Sequence, residues 1–118
     1  MKISKYQFLR ILAKHLSLKL SNKYPNEQEL SLMTASLTPM FNVYSAQMNK
    51  SGILDSDNRV NINKFENESN EFFRLVPTIN IPMGNTSIPI TKKDVDKFIT
   101  ELFSKGDVEE VIYLPCCN

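Results

Sequence analysis

Large apolar side chains recur over residues 26–48 at Leu30, Met33, Leu37, Met40/Phe41, Tyr44 and Met48. Gaps of three and four residues are the period of one helix face, so this stretch predicts a long helix on which other elements pack. Asn26 and Glu29 are spaced as a capping box, and Glu27 and Glu29 place negative charge at the positive end of the helix dipole. Pro39 falls inside the stripe. A proline there removes a backbone hydrogen bond, which predicts a kink, or a split into two helices near Leu37.

A second helical stripe, Leu9, Leu12, Leu16 and Leu20, predicts a helix over residues 5–20 opened by Ser4 and Gln7. Phe8, Ile11 and Leu18 lie off that stripe, giving more apolar surface than one packing face needs. The helix is then either wedged between two others or turned toward a partner. Residues 21–25 form the turn. After a Ser/Gly/Asp/Asn-rich loop at 50–61, a third helix begins at Asn61 or Asn63. It carries Ile62, Phe65, Phe72 and Phe73 and ends at Pro77.

The period then becomes alternating. Gly84-Asn85 separates two isoleucine-bearing runs, 78–83 and 86–90, the signature of a two-residue hairpin. In that register Ile81 faces Ile88 and Ile79 faces Ile90, so the four isoleucines share one face. Pro82 and Pro89 then fall at non-hydrogen-bonded pairs and take a donor from each outer edge, which blunts both edges against a further strand. A fourth helix starts at Thr91 with Asp94 near its positive end. It carries Val95, Phe98, Ile99, Leu102 and Phe103 and is expected to stop at Gly106. Residues 108–114 read as a short strand or as an apolar tail lying in a groove. The fold expected is α+β, mostly helical, with four helices and one β-hairpin in the order α-α-α-β-β-α. It forms a single compact domain: a helical pair over 1–49, a loop over 50–61, a helix–hairpin–helix unit over 62–106 and a tail over 107–118.

Composition narrows the setting. A chain of 118 residues with 42% hydrophobic and 23% charged residues can build one core without metals or disulfides. Cys116 and Cys117 are adjacent, a spacing that strains an intrachain disulfide, and they read as free thiols on the tail. The thiols point to a reducing, cytoplasmic location. With His15 the only imidazole and no Cys-x-x-Cys spacing, neither zinc nor another cofactor is expected. Arg10, Lys14 and Lys19 interrupt the first twenty residues, so neither a secretory signal nor a membrane span is expected.

Candidate chemistry is sparse. Asp55, Asp57, Ile62, Asn63 and Glu66 are spaced as positions one, three, eight, nine and twelve of a calcium loop, and the segment resembles the EF-hand family over that loop alone. The resemblance implies Asp55, Asp57 and Glu66 as ligands. Arg59 stands where an oxygen ligand belongs and Val60 where the loop glycine belongs. The residues before the loop lack the apolar pattern of an entering helix. The competing reading is an Asp/Asn-rich loop with Glu66 in a capping box. No phosphate loop, dinucleotide fingerprint or nucleophile motif is present.

Charge is segregated. The first 24 residues carry +6 and the remainder −5. Three readings follow, in this order: the basic helix meets acids of the third helix or the tail internally, it meets an acidic protein partner, or it meets nucleic acid. By elimination, the chain is expected to be a small non-catalytic interaction protein, such as a regulator, inhibitor or accessory subunit. Its partner-binding residues would be Lys5, Phe8, Arg10, Ile11, Lys14, Leu18 and Lys19. The alternative is a nucleic-acid-binding regulator using the basic first helix. A degenerate EF-hand-like calcium binder stands third. A homodimer through the first two helices would set their lysines against one another, so the balance favours a monomer.

Overall fold

The computed structural model describes residues 1–116. In chain order the elements are β1 (Lys2–Ser4), α1 (Lys5–Ser21), α2 (Glu27–Ser51), β2 (Arg59–Asn61), α3 (Ile62–Leu75), β3 (Thr78–Met83), β4 (Thr86–Thr91) and α4 (Lys92–Cys116). The four helices and the hairpin stand as expected. Two short strands were not anticipated, and they change the order to β-α-α-β-α-β-β-α.

Those strands pair antiparallel, with Ile3 opposite Val60, both fully buried. Three residues each are too few to show an alternating pattern, and their pairing spans most of the first half of the chain. Each strand delivers a cap to the helix behind it. The Ser4 hydroxyl accepts from the Gln7 N–H at 3.1 Å, and the Asn61 side chain accepts from the Lys64 N–H at 3.1 Å. The small sheet thereby ties the start of α1 to the start of α3.

α2 is one unbroken helix through Pro39, not two. Pro39 and Ala35, whose carbonyl loses its helix donor, both lie on the exposed side, so water can satisfy that carbonyl. Asn26 and Glu29 form the expected capping box, and Gly52 closes the helix at φ +86°. At the other end of the chain, α4 does not stop at Gly106. It continues to Cys116, so residues 108–114 are helical, neither strand nor extended tail. Cys117 lies outside the described residues.

The hairpin has the expected register throughout, including Pro82 opposite Ser87 and Asn80 opposite Pro89. Gly84 takes φ +61° in its turn. Ile88 and Ile90 are buried, while Ile79 and Ile81 pack half-buried against the core. The hairpin packs chiefly on α4 and α1, and Phe72 of α3 is 47% exposed.

α1 is the central helix. It packs on α2 along one flank and on α4 along the other, and α3 packs on α4. Leu9, Leu16, Leu37, Ile62, Ile88 and Leu102, from five elements, are at most 2% exposed and form the middle of the core. α2, the longest stretch of apolar periodicity, packs mainly on α1 alone.

Candidate binding groove

Phe8, Leu12, His15 and Lys19 follow one another on α1 at gaps of four, three and four residues, so they share a face. That face opens into a groove of about 1060 Å³. α2 contributes Met40, Tyr44 and Met48 to its lining, α3 contributes Phe65 and Phe72, and β3 contributes Ile79 and Ile81. α4 adds Val95 and Phe98. The lining is mainly apolar, and Tyr44 is 56% exposed within it.

The floor is aromatic, with one ring from each helix. Phe8 meets Phe41, Phe65 and Phe98 edge-on, with centroids 5.9, 5.2 and 5.2 Å apart. Such T-shaped contacts add specific orientation to the burial of each ring. They fix the floor independently of whatever the groove holds.

One rim is charged. The Glu101 carboxylate accepts from Lys14 Nζ at 2.8 Å and pairs with His15 Nε2 at 3.0 Å, and the His15 ring rests edge-on against Phe98. One turn further along, Lys19 Nζ bonds Asp94 at 3.1 Å. Asp94 also accepts from the Thr91 N–H and hydroxyl, closing the start of α4. Burial works to raise the pKa of Glu101, but the hydrogen bonds and charges of Lys14 and His15 outweigh it and hold it below the usual range. Asp94 is held low against its own burial by Thr91 and Lys19. These pairs clamp α1 to α4. His15 shares its carboxylate with Lys14, which suits a structural tie better than a proton relay.

The seven residues expected to meet a partner have separate fates. Phe8 and Ile11 are 5% and 3% exposed and belong to the core. α1 is wedged between two helices, so its second apolar flank is already covered. Leu18 is half-buried in the groove lining. Lys14 and Lys19 form the rim just described. Arg10 bonds the Glu27 carboxylate of α2 with its guanidinium. Lys5 bonds the Asn42 side chain at 2.8 Å and sits over the Phe41 ring. The segregated charge is thus largely met within the chain. Among the described residues, the acids that meet it are Glu27, Asp55, Asp94 and Glu101, and none of these lies on α3.

The calcium-like loop is closed by its own backbone. One Asp55 oxygen accepts from the N–H groups of Asp57 and Arg59, both at 2.9 Å, and the other takes the Lys2 ammonium. Those bonds, that of Arg59 first, lower the pKa of Asp55. An entering helix is present after all, since α2 runs to Ser51. Among the described residues, however, no three His, Cys, Asp or Glu side chains converge to hold a metal ion, so Asp55, Asp57 and Glu66 are not brought together. No described helix is long and apolar enough to cross a membrane.

Sequence reasoning missed Met40, Tyr44, Met48, Ile79 and Ile81 as groove residues. The available signal was the second apolar line on α2, at Met40, Tyr44 and Met48, beside the buried line of Leu30, Leu37 and Phe41. Comparison with protein-family models, curated proteins and solved structures found no match.

Proposed function

We propose that the protein is a non-catalytic interaction module that receives the apolar face of an amphipathic helix from a partner protein in this groove. The groove itself carries the reading. Its volume of about 1060 Å³ lies just above the range of clefts that hold small molecules, about 300–1,000 Å³. Its walls are helix faces, against which another helix packs by ridges and grooves. Met40 and Met48 supply side chains that adapt to an incoming surface. A strand is the poorer occupant, because Pro82 and Pro89 remove donors from the hairpin edges.

Nucleic acid would need exposed cations on α1, and Arg10, Lys14 and Lys19 are already bonded to acids. The test is affinity purification of tagged wild type beside Tyr44→Glu and Asn67→Glu variants from the native cell. Both substituted positions are exposed, so all three should melt alike. The reading expects a protein that co-purifies with wild type and Asn67→Glu and is lost with Tyr44→Glu. Equal recovery by all three would reject the groove as its site.

A further inference from the structure

The side of α2 facing away from α1 is a second exposed surface, distinct from the groove. Leu32, Ser36, Pro39, Val43, Ala46 and Lys50 follow at alternating gaps of four and three, and all six are exposed. Leu32 and Val43 are 63% and 75% exposed and lie on the same side of the helix, about three turns apart. Alternating gaps of four and three are the repeat of a helix that pairs with another helix along a seam.

Charge identifies the second helix. Residues 30–49 contain no charged side chain, while Glu27 and Glu29 lie before this span and Lys50 just after it. We infer that two copies of the chain pair through this face, α2 against α2, antiparallel about a twofold axis between Pro39 and Met40. In that arrangement Glu29 of each copy faces Lys50 of the other, and the two helix dipoles oppose. The same axis places Ser36 against Val43, and Leu32 against Ala46 and Gln47. Large side chains then meet small ones on both sides of the axis. A parallel pair would set Lys50 on Lys50 and lose the size match. The lysines of α1 do not oppose each other, because α1 lies on the other side of α2. That removes the cost which, on sequence grounds, weighed against a homodimer. The seam leaves the groove open, so this pairing is independent of the groove's occupant.

Sedimentation equilibrium of the full chain at tens to hundreds of micromolar tests it. Wild type should dimerise. Val43→Glu should weaken the dimer at least about tenfold without changing the melting temperature, since the position is exposed. Lys50→Glu sets acids against Glu29 and should weaken it most at low salt. Tyr44→Glu, in the groove, should leave it intact. A monomer across the whole range overturns the inference, and so does a dimer that survives Val43→Glu or is abolished by Tyr44→Glu instead.

Discussion

Glu101 is the position where one substitution tests both the packing of α1 on α4 and its electrostatics. Its side chain is 19% exposed and accepts two bonds from α1, from Lys14 and His15. A hydrogen bond involving a charged group contributes about 1.5–3 kcal/mol when buried. Lys14 and His15 keep side-chain exposures of 30% and 21%, so solvent takes part of that. Glu101→Ala should therefore cost about 2–3 kcal/mol at neutral pH, and Glu101→Gln, which keeps shape and one acceptor, about 1–2 kcal/mol. The pH dependence is more specific. The folded carboxylate titrates below its unfolded value, so the unfolded chain binds more protons as pH falls. The stability it contributes is complete above the unfolded pKa and is lost as pH drops through the folded one. Urea unfolding of wild type should weaken from about pH 5 to pH 3, and Glu101→Gln should show a shallower decline over the same range. Asp94 contributes to the same window and keeps some slope in the variant. Identical pH profiles for wild type and Glu101→Gln would refute the clamp.

Other expectations follow from the hairpin and the loop. Ile88→Ala should cost about 2–5 kcal/mol in urea unfolding, and half-buried Ile81→Ala only about 1–2 kcal/mol. Equal losses would mean that Ile81 belongs to the core and not to the groove wall. Gly84 has positive φ with open space around the position of a Cβ, so Gly84→Val should cost about 1 kcal/mol through backbone strain alone, and an unchanged melting temperature would contradict the turn. Calorimetric titration should detect no calcium binding tighter than millimolar. A micromolar site would show that Asp55, Asp57 and Glu66 do assemble around the ion.

What the sequence made legible was local. The hairpin register followed from Gly84-Asn85 and from the two prolines, because a period of two leaves one way to place four isoleucines on one face. The caps at Ser4 and Asn26 were equally readable, whereas the start of the third helix was left between Asn61 and Asn63, and it is Asn61, not an Asn63–Glu66 box, that caps it. What failed was long-range. β1 and β2 are three residues each and exist only because Ile3 and Val60 meet across the fold. Gly106 is a stop signal that α4 overrides. Phe8 and Ile11 looked like surplus apolar surface because periodicity on one helix cannot say how many neighbours it has. The acids opposite α1 could not be assigned for the same reason. The groove was least legible of all, since it is made from the residues that four helices and the hairpin leave uncovered between them.

The groove's role in holding a partner is tested most directly by placing a photo-crosslinking residue at Tyr44 in the native cell, with Asn67 on the exposed side of α3 as control. The account predicts a discrete adduct with one other protein from Tyr44, absent from Asn67 and lost when Ile81→Asp is added to the groove wall. An adduct of equal yield from both positions, or none from Tyr44, would contradict it.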